Sequence, residues 1–240
     1  VVRYEMSVGN EKQLPAPLRI GFVSDLHAGP TTYEALFDQL GDQLRLLRPD
    51  VLLLGGDYVA FDARYAERLH NLLTAYAPAL GTYAVIGNHD IWNGREVIES
   101  VLRESGAEVL VNRSIALPAP FDMVSICGID DPWTGNADAA RTFAESGQVK
   151  LFLTHSPDGL LRLGEEIFDL AFAGHTHGGQ VAHRDGTPLM QPTGPLSRRY
   201  CYGEFKVQGN GKMIVSCGVG CSLLPLRVNA DPELVICTLR

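Results

Sequence analysis

The stretch LRIGFVSDLH, residues 18–27, runs from an apolar segment directly into Asp25 and His27. A short apolar run closed by polar residues reads as a buried strand. A strand that delivers a carboxylate and an imidazole at its carboxyl end places them where α/β sheets collect their ligands. The pattern recurs four times. DVLLLGGD (50–57) ends at Asp57, and GTYAVIGNHD (81–90) ends at Asn88, His89 and Asp90. LFLTH (151–155) ends at His155, and LAFAGHTH (170–177) ends at His175 and His177. On an extended backbone, imidazoles at i and i+2 fall on one side, so the last pair is expected to face a common point.

Helical patterns fill the gaps in the first half, over 31–47, 63–76 and 95–106. Strands alternating with helices predict βαβ units and a largely parallel sheet. Further strand-like runs follow at closer spacing (VLVN, MVSICGI, CYGEFKV, KMIVSCG and ELVICTL), with helices near 137–146 and 159–166. The expected fold is α/β: a double β-sheet sandwich flanked by helices, in one domain spanning 1–240. CSLLPLR (221–227) reads as core packing after a tight turn rather than as an apolar lip for a lipid chain.

Composition sets outer bounds. The chain has 240 residues, 45% hydrophobic and 20% charged, with a formal net charge of −8. That is the profile of a soluble globular protein, and no basic run marks a nucleic-acid-binding patch. Five cysteines without CxxC pairs argue against a disulfide framework and a zinc ribbon, and favour a reducing compartment. No apolar stretch is long enough to span a bilayer, and VVRYEMSVGN is not a signal peptide. The chain opens on Val1 rather than methionine, so membrane association through a missing N-terminal segment stays open. The expected location is cytoplasmic or peripheral to the inner membrane.

Asp, Asn and His without Cys form an oxygen–nitrogen donor set suited to manganese, iron or zinc, with manganese preferred here. Asp25, His27, Asp57, Asn88, His155, His175 and His177 exceed the needs of one ion. They suit two ions about 3.5–4 Å apart sharing a carboxylate, an arrangement used for in-line attack on phosphorus. Each fragment alone reads equally well as a turn or a helix cap; the ordered set of five does not. Arg198 and Arg199 in GPLSRRY are candidate phosphate contacts, with solvated surface the commoner reading of such a pair. No GxSxG element supports a serine hydrolase.

The ordered blocks Asp25-Leu26-His27, Gly56-Asp57, Gly87-Asn88-His89-Asp90, His155 and Gly174-His175-Thr176-His177 resemble the signature of the calcineurin-like metallophosphoesterases. The resemblance runs from about Leu18 to the end of the chain. GHTHGGQ and the closing segment look like a bacterial subgroup that includes membrane-associated phosphodiesterases and a hydrolase of UDP-diacylglucosamine. It implies that Asp25, His27 and His177 hold a first ion, that Asp57 bridges, and that Asn88, His155 and His175 complete a second. It further implies that His89 faces the substrate as an acid, with Asp90 orienting it, and that a metal-bridging hydroxide attacks phosphorus. The activity implied is hydrolysis of phosphodiester or pyrophosphate bonds in a small phosphorylated substrate, a nucleotide-linked lipid among them. The alternatives are a phosphomonoesterase on the same centre and a non-catalytic interaction scaffold of the same fold.

Overall fold

The computed structural model describes residues 1–8, 12–190, 192–207 and 209–240. Among the described residues, twelve strands form two six-stranded sheets. The first contains β1 (Val2–Met6), β2 (Leu18–Val23), β3 (Val51–Leu54), β4 (Thr82–Ala84), β5 (Ala107–Val109) and β12 (Val235–Leu239), in the order β1-β12-β2-β3-β4-β5. Strands β2 to β5 run parallel, as the βαβ reading requires, and β12 returns antiparallel beside β2. The second sheet contains β6 (Arg113–Ala116), β7 (Val124–Gly128), β8 (Val149–Leu153), β9 (Leu170–Ala173), β10 (Gly203–Lys206) and β11 (Lys212–Val215). Its order is β10-β11-β9-β8-β7-β6, with β7, β8, β9 and β11 parallel.

Three apolar layers account for the architecture. Phe22, Leu53 and Val235 of the first sheet pack with Ile126, Leu151, Phe172 and Ile214 of the second in one central core. The outer face of the first sheet is covered by α1 (Glu34–Leu47), α2 (Glu67–Ala75) and α3 (Asn88–Glu104), through Leu40, Leu44, Leu69, Leu72 and Ile98. A third cluster around Phe143, Phe152 and Phe168 closes the far side, where α4 (Ala139–Phe143) and α5 (Pro195–Arg199) lie. Strands covered on both faces explain why the runs are continuously apolar instead of alternating.

Several local expectations are corrected. VRYEM, not among the strand-like runs read from the sequence, is the edge strand β1, its alternating burial fitting an edge strand beside β12. The helix read over 95–106 begins at Asn88 and is kinked at Gly94, whose φ of 123° is open to glycine. The helix expected near 159–166 is a 3-10 turn, Pro157–Arg162. VLVN is not a strand of its own: β5 ends at its first residue, Val109, and a bend in which Asn112 takes a positive φ leads into β6.

Candidate metal centre

Asp25 and His27 follow β2, Asp57 follows β3, and Asn88 and His89 open α3 just after β4; His155 follows β8, and His175 and His177 follow β9. Both sheets therefore deliver their polar ends to one edge of the sandwich. Asp25, His27, Asp57, His155 and His177 are buried there, as is Asn88. The His27 and His177 Nε2 atoms face each other at 3.0 Å, with Asp25 Oδ1 3.5 Å from His177 Nε2. Asp57 Oδ2 lies 3.6 Å from His27 Nε2 and 3.4 Å from His155 Nε2. His155 Nε2 in turn lies 3.0 Å from Asn88 Oδ1 and 3.2 Å from His175 Nδ1.

These contacts resolve into two ligand clusters, Asp25–His27–His177 and Asp57–His155–His175, with donor atoms in each within 4.8 Å of one another. Asp57 contacts both. A third combination, His27–Asp57–His89, is equally compact. Lone-pair atoms converging in a buried place match the donor chemistry of two divalent cations. Asp25, His27, Asp57, His175 and His177 all have φ between 42° and 69°. Non-glycine residues in this left-handed region are strained by about 1–3 kcal/mol each, and such strain concentrates at functional sites. This also corrects the extended-backbone reading of the 175/177 pair: both residues are left-handed, and their imidazoles go to different clusters, His177 beside Asp25 and His27, His175 beside Asp57 and His155. Asn88 and His89 are the opening residues of a helix, and their side chains diverge, Asn88 to His155 and His89 to the Ala60 carbonyl.

Burial favours neutral imidazoles with free lone pairs: it pulls His27 down to about 3, His175 to about 4, and His177 well below the usual range. His155 goes the other way. Burial opposes its charge, but the Asp57 carboxylate outweighs burial and holds His155 well above the usual value. Burial would raise Asp57 too, yet His155, by charge and hydrogen bond, and then His27 hold its carboxyl well below the usual range. Asp25 is pushed up to about 6 by burial, against the pull of His155. His155 Nδ1 faces the Gly55 carbonyl at 2.8 Å, which fixes its Nε2 toward the cluster.

Glycine is required where these groups meet. A Cβ on Gly87 would collide with Asp57 Oδ1, and one on Gly174 would collide with Asp25 Oδ2.

Asp90 does not orient His89. Its carboxylate accepts from the backbone amides of Asp57 (2.8 Å), Tyr58 (2.8 Å) and Gly87 (2.9 Å), and it is fully buried. As the third residue of α3 it satisfies the orphan amide of Gly87 while pinning the Asp57 turn. The Ala60 carbonyl, 2.9 Å from His89 Nδ1, orients the imidazole instead. Asp90→Asn is therefore expected to leave backbone donors unpaired and to destabilise the metal-free protein by about 2–4 kcal/mol. Denaturant unfolding measures this; unchanged stability with altered turnover would restore the orienting role.

The cluster opens into a cleft of about 370 Å³ lined by Asp57, Asn88, His89, His175 and His177, and also by Trp92, Met190, Leu223 and Leu224. A larger open depression of about 830 Å³, along 135–140 and 162–166, contains none of the clustered ligands. Arg198 and Arg199 do not line the cleft. They sit in the last turn of α5, Arg198 donating to the Pro192 carbonyl and Arg199 lying over the Tyr200 ring. Leu223, Leu224 and Leu226 are exposed rather than packed in the core. Their loop is held by polar contacts: Gln180 donates to the Leu224 and Leu226 carbonyls and accepts from the Ser222 amide. Arg227 lies 3.1 Å from His177 Nδ1 and donates to the carbonyls of Cys217 and Ala230. Neither Gln180 nor Arg227 was singled out from the sequence; the position of Gln180 directly after GHTHGG was the available signal. Cys217 and Cys221 are buried and free, as expected for small apolar side chains.

The calcineurin-like phosphoesterase profile matches residues 18–179. Phosphodiesterase YaeI of Escherichia coli is 33% identical over 233 residues, 94% of this chain and 83% of that protein. An uncharacterized metallophosphoesterase of Campylobacter jejuni is 26% identical over 95% of this chain, which spans 60% of that protein's length. A dimetal phosphatase from Danio rerio shares the fold with a TM-score of 0.55 at 11% identity, covering 84% of this chain and 87% of its own. The match across all five strand-end blocks, carried on this double sheet, makes the chain a member of the calcineurin-like phosphoesterase family.

Proposed function

We infer that this protein hydrolyses phosphodiester or pyrophosphate bonds of a small phosphorylated substrate, using two divalent cations, manganese by preference. The observation that carries this reading is Asp57, whose one carboxylate oxygen reaches both ligand clusters. Asp25, His27 and His177 would hold one ion and Asn88, His155 and His175 the other. The ions would supply Lewis acidity toward the phosphoryl oxygens and a nucleophile from water near neutral pH. The chain's own contribution is positional. His89 is anchored through Nδ1 to Ala60, leaving Nε2 to carry a proton to the leaving oxygen. Asn88 opens α3 beside it, and burial keeps competing water out of the ligand cluster.

Charge in the cleft favours a diester. A monoester dianion gains from cationic donors around its terminal oxygens, and no Lys or Arg lines the cleft among the described residues. Leu223, Leu224 and Met190 offer apolar surface to a substituent, as a nucleotide-linked lipid would have. The test is kcat/KM for bis-p-nitrophenyl phosphate against p-nitrophenyl phosphate at equal metal occupancy. The diester is expected to lead by about tenfold or more, the scale of one missing charge-assisted hydrogen bond. A monoester preference would overturn the diesterase reading and favour the phosphomonoesterase alternative. Metal-loaded protein inert to both would favour the scaffold.

A further inference from the structure

Trp92 lies at i+3 from His89 on the opening turns of α3, ahead of the kink at Gly94. It lines the metal cleft while remaining 64% exposed. Its ring centroid is 5.2 Å from that of His89, which lies 4.7 Å from that of His27. The three rings form a series from the ligand cluster to solvent. An indole exposed to this extent forfeits a large apolar contact, and its flat face suits a flat partner.

We propose that Trp92 is a stacking platform for a planar aromatic substituent, a nucleobase or an aryl group, on the phosphoester held at the metal centre. Three observations carry it. The indole belongs to the same cleft as Asp57, His175 and His177, so a substituent on a phosphorus held there is within its reach. Its segment is fixed: Asn93 Nδ2 donates to the His89 carbonyl at 2.7 Å, and His89 Nδ1 is tied to Ala60. Leu223 and Leu224, exposed on a loop clamped by Gln180, supply apolar surface in the same cleft for the edge of a ring. A platform carried on a fixed backbone segment binds without paying to order that segment. Stacking recognises the π-face, so it accepts different bases and separates aromatic from equally bulky saturated groups.

This proposal rests on the diesterase reading for its kinetic test but not for its binding test. Kinetically, four esters share p-nitrophenolate as leaving group and differ in the other substituent: methyl, cyclohexylmethyl, benzyl and thymidine-5′. The benzyl or the thymidine ester is expected to exceed both saturated esters in kcat/KM. Trp92→Leu, which keeps apolar bulk but removes the π-face, should lower the aromatic-over-methyl ratio by about 5- to 100-fold, chiefly through KM. Trp92→Phe should retain part of it. Which aromatic ester leads identifies the source, base or aryl. A cyclohexylmethyl ester equal to the benzyl ester, or a ratio unchanged in Trp92→Leu, overturns the platform.

Binding is read without turnover in a Trp133→Phe background, where Trp92 is the only tryptophan. At fixed zinc, thymidine monophosphate should quench its fluorescence saturably and deoxyribose 5-phosphate should not. Equal quenching by both, or none by either, overturns the proposal. Saturable quenching in a protein inert toward every ester upholds the platform while the diesterase reading fails.

Discussion

Asp57→Asn is expected to strip metal and turnover together. The Asp57 side chain is shared between the two halves of the centre: Oδ1 accepts the His89 amide at 2.8 Å, and Oδ2 lies 3.6 Å from His27 and 3.4 Å from His155. The His89 amide belongs to the start of α3, where unpaired donors and the helix dipole favour a negative charge. Asparagine keeps the shape but removes the only charge common to both clusters. An amide nitrogen facing His155 or His27 also adds a donor where an acceptor stood. The expected loss in kcat exceeds about 100-fold, beyond that of losing an outer partner of a metal ligand. Metal content should fall for both ions rather than one. Elemental analysis after desalting, beside a diester assay, checks both. Two ions retained with wild-type turnover would remove Asp57 from the bridging role.

His89→Asn is expected to separate chemistry from metal binding. The variant should keep both ions and lose about 10²–10⁴-fold in kcat, the scale of general acid catalysis. The loss should shrink as the leaving alcohol becomes more acidic, because nitrophenolate departs with little need of a proton. The competing arrangement is real in the geometry, since His27, Asp57 and His89 also form a ligand-sized cluster. Asparagine offers a carbonyl oxygen that can replace an imidazole only poorly as a ligand. A ligand role would therefore cost metal occupancy, with a loss of turnover that does not depend on the leaving group. The dependence on the leaving group decides between them.

The strand ends were legible in the sequence for a simple reason. Strands covered on both faces must be continuously apolar, so the polar residue that ends each run is conspicuous. Asp25, Asp57, Asn88, His155 and His175 stand out this way, and the intervening helical periods required parallel strands between them. Residue types did the rest, because oxygen and imidazole donors without thiolate narrow the metal chemistry.

Other features were decided only in three dimensions. His27 meets His177 across 150 residues, and the meeting depends on two sheets packing with their carboxyl ends at one edge. Asp90 looked like the natural partner of its neighbour His89, but its carboxylate is consumed by four amides of the Asp57 and Gly87 turns. Leu223 and Leu224 looked like core residues, since local sequence records apolarity but not whether a neighbouring layer exists to cover it. The clamp from Gln180 and Arg227 leaves them uncovered beside the cleft. Periodicity and residue type are properties of a single segment, so the sequence alone indicated most of the elements and named the candidate ligands. Which nitrogen faces which oxygen depends on the left-handed turns and on contacts between distant segments, and these only the tertiary structure decided.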